Sequence, residues 1–210
     1  MSDRTEALKA ARRILGGKPL FLDTETTGFG YEDEIVEIAI LDTAGEKLFH
    51  ERLKPAIPIP QEASAYHGIT GADVAMCPTI SDAWPALKKI LAGRTVCCYN
   101  ADYDRRMLRQ SLLAHHILPG DIDGLLFPDV IMPERKPDDI PPLTFGCVME
   151  LFAAYYGEWN DYHGNYKFKK LAFAAEFLGI PSWKEHGALA DAEAARQVLV
   201  AMTERADDRW

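Results

Sequence analysis

PLFLDTETTG, Pro19 to Gly28, is the stretch on which the fold turns. Its apolar run, residues 19–23, reads as a short buried strand that ends in acids and a Thr-Thr-Gly turn. Side chains at i and i+2 of a strand share a face, so a strand continuing past Asp23 projects Asp23 and Glu25 together. Two carboxylates at the end of a buried strand repel each other and require protons or cations. Hard oxygen donors of this kind favour magnesium or manganese. A D-x-E pair alone is a weak signal, because such pairs are frequent on solvated strands.

Working outward, Glu34–Leu41 (EIVEIAIL) and Lys47–Leu53 alternate as two further strands, and the turn residues Asp42–Gly45 between them predict a hairpin. Upstream, Thr5–Leu15 reads as a helix with Leu8, Ala11 and Leu15 on one face, stopped by Gly16-Gly17. Downstream, Thr79–Leu91 has helical spacing, with Ser81 as its expected cap. Thr95–Tyr99 reads as a buried strand, and Tyr103–His115, Lys167–Leu178 and Ala188–Met202 as helices. Early strands followed by strand–helix alternation predict an α/β domain. The chain is expected to form one domain over residues 1–210, with an N-terminal helix within 1–17 and a proline-rich insertion at 119–142.

Composition narrows the partners. Of 210 residues, 23 are Lys or Arg and 32 are Asp or Glu, a formal charge of −9 that argues against broad, non-specific binding to duplex nucleic acid. It does not oppose a site that grips one strand end through bound cations. The four cysteines, Cys77, Cys97, Cys98 and Cys147, form no C-x-x-C and point to neither zinc nor a disulfide framework. No apolar stretch is long enough for a membrane helix, and the charged N-terminus is unlike a secretory signal. A cytoplasmic protein without a membrane partner is the expectation.

Two further constellations carry chemistry. In YNADYD (99–104) acids follow a buried strand, at the sheet end where α/β folds place ligand sites; helix capping by Asp102 or Asp104 is the bland alternative. In HGALAD (186–191) a histidine precedes an acid by five residues, about 140° apart on a regular helix, so the two side chains would diverge. Gly187 offers a break that leaves His186 on the loop before the helix, free to face the same centre as Asp191.

FLDTETTG, YNADYD and HGALAD, in this order and at these separations, resemble the three motifs of the DEDDh (DnaQ-like) 3′–5′ exonuclease family. His67-Gly68-Ile69-Thr70 matches an H-G-I-T stretch common in proofreading-subunit-like members, and the resemblance spans residues 19–203. It implies an RNase H-like fold, a central mixed five-stranded sheet flanked by helices. It implies two divalent cations, Mg2+ or Mn2+, held by Asp23, Glu25, Asp104 and Asp191, with His186 as general base. Thr26, Thr27, Gly28, His67 and Asn100 are the expected substrate contacts. Tyr103 and Tyr99 stand where phenylalanine and histidine are more usual in the family. The last strand is then expected at Thr144–Val148, leading into a helix at Met149–Tyr156.

The activity so implied is removal of nucleoside 5′-monophosphates from the 3′ end of single-stranded DNA, with a polymerase or repair partner. Two rivals stand beside it: an RNA 3′-end exonuclease or oligoribonuclease, and a non-catalytic nucleic-acid-binding module of a polymerase assembly. Trp159, Tyr162 and Tyr166 offer stacking faces. Arg105, Arg106, Arg109, Lys167, Lys169 and Lys170 offer phosphate contacts, although charged residues on helices are commonly just solvated.

Overall fold

Alternation along one strand divides the molecule. In strand β1, Leu20–Thr26, the side chains of Leu20 and Leu22 enter one apolar cluster and Phe21 enters another. Both faces of the sheet are therefore covered, which is why β1 and β2, Ile35–Leu41, are buried almost without interruption. The computed structural model describes residues 3–117, 144–183 and 186–204. The proline-rich stretch expected at 119–142 lies outside the described residues.

The sheet is mixed, in the order β3-β2-β1-β4-β5, with β3 at Lys47–Arg52, β4 at Thr95–Cys98 and β5 at Thr144–Cys147. β1, β2 and β3 pair antiparallel, whereas β1–β4 and β4–β5 are parallel. The β2–β3 turn forms where expected: Asp42 Oδ1 accepts the N–H groups of Ala44 and Glu46. One face is covered by α4 (Ile80–Leu91) and α5 (Ala101–Ala114), through Trp84, Leu87, Leu91, Met107, Leu108 and Leu112. The other is covered by α1 (Asp3–Gly16), α6 (Val148–Tyr156), α7 (Leu171–Phe177) and α8 (Ala188–Glu204). Two short helices, α2 (Gln61–His67) and α3 (Gly71–Val74), lie between β3 and α4.

Several expectations are corrected. Thr79, not Ser81, caps α4: it closes a capping box with Asp82, while Ser81 Oγ donates to the carbonyl of His115. Helix α5 starts at Ala101 rather than Tyr103, because the Asn100 carbonyl already accepts the N–H groups of Tyr103 and Asp104. Helix α7 starts at Leu171 rather than Lys167. Residues 157–166 form a hairpin, β6 (Trp159–Asn160) with β7 (Asn165–Tyr166), and the Lys167 N–H extends it by donating to Glu158. The Lys169 carbonyl is held by the Tyr99 hydroxyl. Lys167 and Lys169 both pair with Glu158, and Arg106 donates to the carbonyls of Phe29 and Gly30, so these three cations serve internal contacts. No described helix is long and apolar enough to cross a membrane.

Candidate active site

Strand β1 continues past Asp23 to Thr26, so Asp23 and Glu25 emerge on one face of its C-terminal end. That face is the one packed by α8, whose Ala188, Ala192, Ala194 and Ala195 are buried. Small side chains bring the helix backbone close to the sheet, and Asp191 enters from its first turn. Carboxylate oxygens of Asp23, Glu25 and Asp191 lie within 4.8 Å of one another.

His186 stands on the loop before α8, with a φ of +62°. The left-handed backbone falls on the histidine itself rather than on Gly187, and it turns the chain so that the His186 N–H donates to Asp191 Oδ2 at 3.0 Å. Asp191 Oδ1 accepts Trp183 Nε1–H at 2.6 Å, so both oxygens are oriented from the same loop. The helix start has its own acid. Glu37, opposite Glu25 in the β1–β2 register, accepts the Ala188 N–H at 2.9 Å and lies near His50 and Arg52.

Asp104 comes from the first turn of α5, on the other side of the sheet, and is only 3% exposed. It lies outside the trio; its Oδ1 accepts the Thr24 hydroxyl at 2.8 Å. A capping role is thereby replaced by burial for Asp104, while Asp102 stays exposed and pairs with Arg105. Electrostatics still bind Asp104 to the group. Burial raises the Asp23 carboxyl well above its usual range, and Asp104, Asp191, Glu25 and Glu37 add to it. Burial likewise pushes Glu25 up to about 8, helped by Asp191, Glu37 and Asp104. Burial also raises Asp104, against the opposing hydrogen bond from Thr24. Among the described residues, the leading influences on Asp23 and Glu25 are burial and neighbouring acids, all of which oppose their ionisation.

A cleft of about 780 Å³ opens over these groups, lined by all five anticipated chemical residues and by Thr26, Thr27, Gly28, His67 and Asn100. Several of the rim side chains are engaged inward. Thr27 donates to Asp33 at 2.7 Å, and a Cβ on Gly28 would come within 2.7 Å of the same carboxylate, so a side chain there would have to displace Asp33 from Thr27. His67 Nδ1 accepts the Ile69 N–H, leaving Nε2–H to donate to the Thr26 carbonyl at 3.2 Å. Burial lowers the His67 pKa, in keeping with a neutral ring. The Tyr103 hydroxyl, missed by the sequence reading as a functional group, lies 2.6 Å from the Thr26 hydroxyl and donates to Gly28 O at 3.0 Å. Glu37, Trp183 and Tyr66 were missed as well. For Glu37 the signal was an acid inside an otherwise apolar strand, whereas Trp183 and Tyr66 carry none.

The donor set fits divalent cations: hard carboxylate oxygens converge on a partly buried centre where, among the described residues, neighbouring acids are the leading charges acting on Asp23 and Glu25. Comparison with known proteins gives the same direction. Residues 20–199 match the RNase_T family, described as exonuclease. The chain belongs to the RNase T exonuclease family. Its members are nucleases that act on nucleic acids, in general with divalent metal ions. A relative named as an uncharacterized exonuclease of Escherichia phage 186 is 36% identical over 193 residues, 91% of each chain. A DNA polymerase III subunit epsilon-like protein of Rhodobacter capsulatus is 38% identical over 132 residues, 58% of this chain but 19% of that one.

Solved structures share the fold of this family member. Exonuclease X, in complex with 5′ overhanging duplex DNA, superposes with a TM-score of 0.59 at 23% identity over 90% of this chain and 93% of that one. The nuclease domain of 3′hExo, a DEDDh family member bound to rAMP, gives 0.64 at 14% identity over 90% and 93%. The five-stranded mixed sheet flanked by helices is thus the RNase H-like fold that the motifs implied.

Proposed function

We propose that this protein is a single-domain 3′–5′ exonuclease of the DEDDh type that removes nucleoside 5′-monophosphates from the 3′ end of single-stranded DNA. The observation that supports it most is the convergence of Asp23, Glu25 and Asp191 within 4.8 Å, in a cleft that Asp104 and His186 also line. Asp23, Glu25, Asp104 and Asp191 would hold two divalent cations, Mg2+ or Mn2+. When bound, the cations polarise the scissile phosphate and neutralise charge developing on it.

The protein's own groups then have distinct tasks. His186 takes the proton of the attacking water; an imidazole suits this because its free pKa, about 6.5, lies near working pH. Asp191 fixes the loop that carries His186, through the His186 N–H. Thr26, Thr27 and Gly28 present a turn to the terminal nucleotide, and His67 and Tyr103 keep that turn in shape. Asn100, at the start of α5, completes the wall beside Asp104. Phe168, Lys170 and Trp183 also line the cleft. Exposed Phe168 and Phe29 offer faces on which an unstacked base can lie. A polymerase or repair assembly is the partner that relatives named for polymerase III epsilon favour.

The test is an incubation of the protein with matched 5′-labelled single-stranded DNA and RNA, in Mg2+, in Mn2+ and in chelator. Stepwise shortening of DNA from the 3′ end, lost in chelator and in Asp104→Ala and His186→Ala, is expected. Faster shortening of RNA would move the substrate class to RNA, and tight binding without cleavage in either metal would replace the enzyme by a binding module.

A further inference from the structure

The C-terminal end of α2 reaches the site through two consecutive residues. His67 ties the last turn of the helix to the Thr26 carbonyl at the end of β1. The chain reverses there at Gly68, which has a φ of +77° and donates its N–H to Ser64. Tyr66, one residue earlier, lays its ring against the His186 imidazole, with centroids 3.8 Å apart and planes inclined by 39°. Tyr66 is 58% exposed, so core packing does not account for where its ring lies. Both rings line the same cleft.

A general base is served by such a brace. The His186 backbone is fixed by the left-handed turn and by Asp191, but a proton acceptor must also present one ring nitrogen within hydrogen-bond reach of the water. Rotation about the side-chain bonds of a half-exposed histidine moves that nitrogen by ångströms. A flat aromatic surface against the ring removes most of that rotation.

We propose that Tyr66 is a positioning residue for His186: its ring, braced through His67 on the end of β1, holds the imidazole in the orientation from which it accepts the water proton. This rests on the reading of His186 as the general base. Three consequences separate it from a merely structural role. The ring matters and the hydroxyl does not, the effect falls on turnover rather than on substrate binding, and it vanishes when His186 is already gone.

The experiment uses the whole protein and four variants: Tyr66→Ala, Tyr66→Phe, His186→Ala and the double Tyr66→Ala/His186→Ala. Steady-state and single-turnover shortening of a 5′-labelled single strand is measured, with NMR of the histidine ring protons in metal-free protein. Tyr66→Ala is expected to lower kcat by about 10-fold or more with KM within about twofold, given the sensitivity of catalysis to misplacement of about 1 Å. Tyr66→Phe restores the rate, and the double variant is no slower than His186→Ala. In the NMR spectra the His186 ring protons are shifted by the adjoining aromatic ring in the wild type and in Tyr66→Phe, and lose that shift in Tyr66→Ala. An unchanged rate in Tyr66→Ala with His186→Ala inactive overturns this proposal alone, as does an effect confined to KM or an unmoved His186 signal. A fully active His186→Ala overturns the general-base reading and this proposal with it.

Discussion

Two pairs of acids, on β1 and on or just before β2, are treated in opposite ways. Glu34 and Glu37 are provided for: Glu34 meets His115 at 2.7 Å and the Ala56 N–H at 3.1 Å, and Glu37 meets His50, Arg52 and the Ala188 N–H. Glu25 is as deeply placed and Asp23 lies partly buried beside it, yet burial and other acids are the main influences on both, and all of these raise their pKa. The first set is structure. The second is a concentration of negative charge that folding alone has no use for, and such a local conflict is where function is to be sought.

Breaking the second set should produce the largest change in activity and the least harm to the fold. Asp23→Asn is expected to lower kcat by about 10²–10³-fold or more, while the metal-free protein melts at the same or a higher temperature because repulsion is relieved. Gel assays and thermal melts in chelator check the two halves. Glu34→Ala should do the reverse, since it removes the buried carboxylate that the Ala56 N–H and the partly buried His115 ring both meet. A loss of about 1–3 kcal/mol in urea titrations is expected, with kcat per folded molecule unchanged.

The pH dependence follows with a definite sign. A carboxyl whose folded pKa is raised, as Glu25 is to about 8 from 4.5, binds more protons folded than unfolded across that window. Stability therefore falls as pH rises through it. Melting in chelator should drop between pH 6 and pH 8, and Mg2+ or Mn2+ should recover more stability at pH 8 than at pH 6. A flat melting profile in chelator would remove the distinction between the two sets. The smallest effect belongs to the rim. Tyr103→Phe deletes the hydroxyl that bonds Thr26 and Gly28 O, and a rise in KM of about 2–10-fold with kcat little changed is expected from steady-state kinetics.

Much of this was legible in the residues, for physical reasons that differ by element. PLFLD and EIVEIAIL announced buried strands by apolar run and alternation, and the Asp42–Gly45 turn announced their hairpin. Periodicity reached only an α/β domain; the mixed sheet came with the motif resemblance. Asp23 and Glu25 were readable as a pair because a strand puts i and i+2 on one face. The meeting of Asp191 with them was legible through the motif resemblance and not through local periodicity, since it depends on a helix brought close by four buried alanines from more than 160 residues away. Helices α2 and α3 escaped because their apolar faces are slight: α2 buries no residue fully and α3 buries only Val74. The start of α7 was misplaced because a hydrogen bond between Lys167 and Glu158, invisible in local pattern, extends the hairpin instead. Glu37 looked like an ordinary strand acid until the register set it across from Glu25.

The central claim is that Asp23 and Glu25, whose leading charged neighbours among the described residues are other acids, hold divalent cations. Calorimetric titration of the metal-free protein with Mn2+, alongside Asp23→Asn and Glu34→Gln, tests it most directly. Binding in the wild type and in Glu34→Gln, with loss in Asp23→Asn, is the result expected. Equal Mn2+ affinity in all three proteins, or none in the wild type at neutral pH, would contradict it.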